Sequence, residues 1–220
     1  MATVTNVCFH GVGTPRRDLE PGEADYWIGR DAFLGILDEL AGRPGVRISF
    51  DDGNASDVEI ALPALVERGM TATFFLLAGR LDDAGSVHRD RVRALAAGGM
   101  PIGSHGMDHR SWRGLTADES RVELGEARDV LSEVSGTQVV EAALPLGRYD
   151  RGVLSELRRR GYDRVYTSDQ SDARPDAWLQ PRFSVRRHDT AATVHERILR
   201  ARPFVQRAER RVAQLVKSLR

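Results

Sequence analysis

The chain lacks most of the features that mark large protein classes. It holds a single cysteine, Cys8, so no intrachain disulfide can form, and the apolar neighbours Val7 and Phe9 point to a buried structural thiol. No charge sign dominates. Lys+Arg and Asp+Glu both number 32, which removes the global basic excess expected of a nucleic-acid binder. No apolar run approaches the ~18 residues of a membrane span. The N-terminal segment shows no basic stretch followed by a long apolar run, so a cytoplasmic protein is expected. Internal repeats and low-complexity linkers are absent. Gly11-Val12-Gly13 is too short to read as a phosphate loop, and no Walker or dinucleotide fingerprint follows it.

What the sequence does have is an alternation of short apolar runs and helical patterns. Its 220 residues, 41% hydrophobic and 29% charged, can bury the core of one ordinary domain. Strands are expected at 4–9, 46–50, 72–77, 100–103, 139–144, 164–167 and 182–185. Between them, Asp31 is expected to cap a helix that aligns Phe33, Leu34, Leu37 and Leu40 on one face. Capping boxes are expected at Ser56–Glu59 and Thr116–Glu119, with a partial repeat of the pattern at Thr193–Glu196. Strands alternating with helices imply parallel pairing and right-handed crossovers. Seven strands in this length suit an incomplete seven-stranded parallel β/α barrel, TIM-barrel-like but one unit short of eight. An open doubly wound sheet is the alternative. Residues 11–30, with two prolines and several charges, are expected to lie over one end of the barrel.

The polar residues that stand out all follow expected strands: His10, Asp51-Asp52-Gly53, His105 and His109, Pro145-Leu146-Gly147, Asp169 and His188. In parallel barrels the C-terminal strand ends form the functional face. Two adjacent carboxylates at such a place are hard to keep ionised without a cation. His105 and His109, four apart, would face the same way on a helical turn, as two ligands of one metal must. Together these residues describe a His-His-Asp site with open positions. It suits zinc, with cobalt, manganese or nickel as alternatives.

Ser49-Phe50-Asp51-Asp52-Gly53 and Ser104-His105-Gly106-Met107-Asp108-His109 resemble the first two motifs of the polysaccharide deacetylases, carbohydrate esterase family four, which share the nodulation-deacetylase fold. The resemblance extends over residues 4 to 190. It implies a seven-stranded barrel and metal-dependent removal of N-acetyl groups from an amino sugar in a glycan or glycolipid. It further implies Asp51 as catalytic base and Asp52, His105 and His109 as metal ligands. The backbone N–H near Leu146 would serve an oxyanion hole. His188 would be the general acid, and His10 would support the site or bind substrate. Asp169 only loosely echoes the family's fourth motif and is placed with the substrate.

The third motif departs from the family's pattern. Ala143 stands where an Arg is expected to orient the base, and Arg148 or Arg182 is a candidate replacement. Alternatives on the same fold are a deformylase, a cyclic-ureide or imide hydrolase, and a non-catalytic glycan-binding relative. Trp27, Trp112 and Trp178 are candidates for sugar stacking or for packing. Residues 1–200 are expected to form the catalytic domain. Residues 203–220 read as a basic amphipathic helix, either docked on the barrel or touching an anionic membrane surface.

Overall fold

The computed structural model describes residues 3–200. The strands are β1 Thr5–Phe9, β2 Val46–Asp52, β3 Ala72–Leu76, β4 Ile102–Ser104, β5 Glu141–Ala143, β6 Arg164–Thr167 and β7 Leu179–Ser184. They run in sequence order, all parallel, and β1 pairs back onto β7 to close a seven-stranded barrel. The open-sheet alternative is thereby excluded. The thinnest seam lies between β4 and β5, where Ser104 opposite Ala142 is the single paired position.

Alternation along the strands sorts the side chains into two layers. Phe9, Phe50 and Phe74 occupy one register row across β1–β3. Their rings stack at 5.3 and 5.0 Å, and Phe33 of the helix Arg30–Leu40 packs edge-on against Phe9. Each such ring contributes roughly 1.5–3 kcal/mol by burial. The intervening positions Ser49, Asp51 and Arg182 are polar, buried and bonded to one another. A charged pair inside the ring of strands is the first sign that this interior is built for more than packing.

The helix starts differ in part from the sequence pattern. The Thr116–Glu119 capping box forms, and Asp150 caps the helix Arg151–Arg159 through the Val153 N–H. Ser56 does not cap: its hydroxyl accepts the N–H of Val12, a residue brought beside it by the barrel. Gly29, not Asp31, precedes the helix Arg30–Leu40, and Asp31 lies in its first turn. Near the C-terminal end the capping box is Thr190 with Thr193. The helix expected over 203–220 lies outside the described residues. Among the described residues, no helix is long and apolar enough to cross a membrane.

Candidate functional site

The strand ends on one face surround a cleft of about 280 Å³, lined by residues that include His10, Glu20, Asp51, Asp52, His105, His109 and Leu146. Asp51 and Asp52 close β2. Asp52 takes a left-handed backbone (φ 78°), which turns the chain so that two consecutive carboxylates both reach the cleft.

His105 follows β4 directly and is 2% exposed. Its Nδ1 lies 2.9 Å from the Ala143 carbonyl, which can only accept, so Nδ1 carries the proton and Nε2 offers its lone pair. Burial pushes the His105 pKa down to about 4 against the pull of Asp51 and Asp52, so the ring is neutral. His109 repeats the arrangement. Its Nδ1 donates to Glu20 Oε2 at 2.7 Å, and its Nε2 faces inward. The two Nε2 atoms lie 3.5 and 3.6 Å from Asp52 Oδ1, which is buried and accepts no hydrogen bond among the described residues. A buried carboxylate oxygen without a partner, facing two imidazole lone pairs, is a donor set for a cation. Asp52, His105 and His109 therefore fit a divalent metal.

The segment joining the two histidines is not the helical turn that their spacing suggested. It is a bend. Gly106 adopts φ 96°, and a Cβ there would lie 2.5 Å from Glu123 Oε2. The buried Glu123 carboxylate accepts the N–H groups of Met107 and Asp108, doing for these amides what a helix would otherwise do. Glu123 sits on a wide turn, Val122–Glu126, inside a longer helix, and such turns recur near functional sites. The imidazoles still meet, with ring centroids 5.4 Å apart.

Asp51 is held differently. Arg182 of β7 crosses the barrel interior and grips both Asp51 oxygens, Nη1 to Oδ1 and Nη2 to Oδ2, each at 2.6 Å. The same guanidinium reaches Ser49 at 3.0 Å and lies near the rings of Phe75 and Tyr166. Burial alone would raise the Asp51 carboxyl, but Arg182 and then His105 outweigh it and hold it well below the usual carboxylate range. Ala143, where the family pattern has its Arg, is fully buried in a cluster with Phe75 and Tyr166. The cation facing Asp51 thus comes from β7, and Arg148 is exposed at the cleft mouth.

His10 lines the cleft, with its ring 4.9 Å from that of Tyr26. Its Nδ1 is buried and has no hydrogen-bond partner among the described residues. One ring nitrogen lies within 4.8 Å of an Asp51 oxygen and of the Cys8 sulfur. This trio is a poor metal set. Arg182 occupies both Asp51 oxygens, and burial pushes the Cys8 thiol well above its ordinary range.

Two expected site residues are not brought into the cleft. His188 is exposed on the segment after β7 and does not line it. Asp169 stands behind the wall, accepting from the Tyr149 hydroxyl at 2.6 Å and the Thr167 hydroxyl at 2.8 Å. Leu146 lines the cleft in a left-handed conformation (φ 58°, ψ 10°) that costs roughly 1 kcal/mol or more for a non-glycine residue. The tryptophans pack rather than line the cleft. Trp27 and Trp112 are buried, and Trp178 donates to the Tyr162 carbonyl.

Glu20 is the residue that the sequence pattern did not single out. It sits in the segment before the short helix Glu23–Tyr26, is anchored by Arg80, and its N–H donates to Glu23, which Arg17 holds in turn. Its one foretelling signal is the density of charge in residues 11–30.

A sequence profile of the polysaccharide deacetylase family matches residues 40–165, more than half of the chain. The YxkH protein of Bacillus subtilis is 27% identical over 141 residues, or 64% of this chain and 50% of its own length. The chitooligosaccharide deacetylase of Rhizobium leguminosarum bv. trifolii is 28% identical over 137 residues, 62% of this chain and 60% of its own. The match thus spans half to three-fifths of these relatives. Among solved structures, a Streptococcus pyogenes deacetylase in complex with acetate superposes with a TM-score of 0.77 at 17% identity, over 90% of this chain and 98% of that one. A polysaccharide deacetylase of Bacillus cereus gives 0.76 at 17% identity, over 89% and 68%. At such identities the likeness is one of fold.

Proposed function

The chain belongs to the polysaccharide deacetylase family, and on that premise we propose that it hydrolyses the N-acetyl group of an amino sugar in a glycan or glycolipid with the help of one divalent metal ion. The observation that carries this reading is the convergence of His105 Nε2 and His109 Nε2 on the unpartnered Oδ1 of Asp52, beside a second carboxylate that is already neutralised by Arg182. A binding module has no need of a second carboxylate, outside the donor set, next to a cation site. A hydrolase does, because something must take the proton of the attacking water.

Asp52, His105 and His109 would hold the ion, zinc by preference for this donor set. Bound there, it would polarise the amide carbonyl and make a nearby water more acidic. Asp51 accepts the proton of that water as the oxygen attacks the acetyl carbon. Arg182 keeps Asp51 ionised and fixes its direction. The Leu146 N–H is assigned to the developing oxyanion, since the left-handed turn at this residue sets the backbone on the cleft wall. His10 donates a proton to the leaving amine as the C–N bond breaks. It takes this role from His188 because it lines the cleft close to Asp51, whereas His188 is exposed and does not line it. The products are acetate and the free amino sugar.

The test is release of acetate by the metal-loaded protein from a panel of N-acetylated sugars, with formate measured in parallel. Acetate matched mole for mole by new primary amine is expected. Formate from an N-formyl analogue with no acetate, or no product from any amide, overturns the assignment.

A further inference from the structure

The charges around the cleft do not cancel evenly. Glu20 is paired with Arg80, Glu23 with Arg17, and Asp51 with Arg182. Asp52 faces the metal set described above. Every acid on the wall except Asp52 is thus matched by an arginine. Two arginines are not matched by any acid. Arg148, after β5, lines the cleft and is exposed. Arg186, after β7, is exposed and lies over the ring of Tyr26 at 5.8 Å, and Tyr26 itself lines the cleft. Neither guanidinium makes an ion pair among the described residues. Other described arginines, such as Arg30, Arg93 and Arg151, are also unpaired, but they do not line the cleft; Arg148 lines it and Arg186 lies beside a residue that does.

Their placement follows from strand order. The Asp52, His105 and His109 arc is carried by β2 and β4. The arc through β5, β6, β7 and β1 carries Arg148, Ser168, Ser184 and Tyr26. No hydroxyl hydrogen bond is formed by Ser168 or Ser184 among the described residues, so this side offers free donors as well as two guanidinium groups. Of the acids near this side, Asp169 accepts from Tyr149 and Thr167, Asp189 is paired with Arg197, and neither lines the cleft.

We infer that the substrate is an acetamido sugar carrying an anionic substituent, a phosphate or a carboxylate, which docks on the Arg148–Arg186 side while the acetamide faces Asp51 and Asp52. This rests on the deacetylase reading above and narrows its substrate. Guanidinium groups recognise both anions through paired N–H donors. A neutral glycan would leave Arg148 on the cleft wall, and Arg186 beside Tyr26, to water alone.

The experiment compares kcat/KM for N-acetylglucosamine, N-acetylglucosamine 1-phosphate and N-acetylmuramic acid, at low and at raised salt. One anionic sugar or both should be favoured over the neutral one by about tenfold or more, the effect of a single retained charge-assisted hydrogen bond. The advantage should shrink with salt. In the double variant Arg148→Gln/Arg186→Gln the anionic-to-neutral ratio should fall towards one. Which anion is favoured identifies the substituent. Equal or better turnover of the neutral sugar, or an unchanged ratio in the double variant, overturns the inference. Calorimetric titration of the same three sugars into the metal-loaded protein separates this from failure of the deacetylase reading. If no amide is cleaved, tighter binding of an anionic sugar still supports the arginine site, and equal binding of all three overturns it.

Discussion

Replacing Arg182 with Met removes the one guanidinium bonded to Asp51 among the described residues while leaving the carboxylate buried at 3% exposure. Both 2.6 Å hydrogen bonds disappear, and the thioether cannot replace either. Breaking one side of a buried pair costs about 3–5 kcal/mol, because the surviving charge has neither water nor partner. In a chain of this size that lowers the melting temperature by roughly 6–20 °C. The measurement is urea or thermal unfolding of the metal-free protein, so that no ion compensates Asp51. The double variant Arg182→Met/Asp51→Asn removes both charges and should regain most of the lost stability. Chemistry should move as well. With Arg182 gone, burial loses its main opponent and the Asp51 carboxyl rises, so the acid limb of the pH–rate profile shifts to higher pH. A single variant within about 1 kcal/mol of the parent, or an acid limb that does not move, would refute the reasoning.

The other expectations concern the same rim. Glu20→Ala should weaken metal binding by about 10–100-fold, since it removes the carboxylate that orients His109, and a chelator competition assay reads this without turnover; unchanged affinity would make the contact incidental. His10→Ala should slow amide hydrolysis by about 10²–10⁴-fold and His188→Ala by less than tenfold, and the reverse order would return the acid role to His188. The metal-free protein should lose stability as pH falls from about 6.5 to about 4. In that window the unfolded His105 binds a proton and the folded one, held down to about 4 by burial, does not. That residue alone contributes about 3 kcal/mol to the loss, complete below the folded value, and a flat stability curve across this window would contradict the neutral, buried ring.

Much of this architecture is readable from the chain. Short apolar runs mark the seven strands, and the placement of Asp52, His105 and His109 at the ends of β2 and β4 is enough to expect them on one rim. Less readable was anything set by distance across the barrel. Arg182 lies 131 residues from Asp51, and nothing local to β7 chooses it over Arg148, the other candidate, as the replacement for the Arg missing at Ala143. Glu20 reaches His109 across 89 residues, from a segment without periodicity. Local pattern also misled where tertiary partners prevailed. Ser56 looked like a helix cap but is held by Val12, and the His105–His109 spacing suggested a helical turn that the backbone of Gly106 does not follow. His188 and His10 both follow strands, and only the course of the chain after β7 and β1 separates the one in solvent from the one in the cleft.

The division of labour between the adjacent aspartates is the centre of this account. It is tested most directly by measuring bound metal and acetate release side by side in Asp51→Asn and Asp52→Asn. One ion per chain and no acetate are expected for Asp51→Asn, because a base held by Arg182 is lost while the ligands remain. Neither ion nor acetate is expected for Asp52→Asn. Metal lost from Asp51→Asn and retained by Asp52→Asn would contradict it.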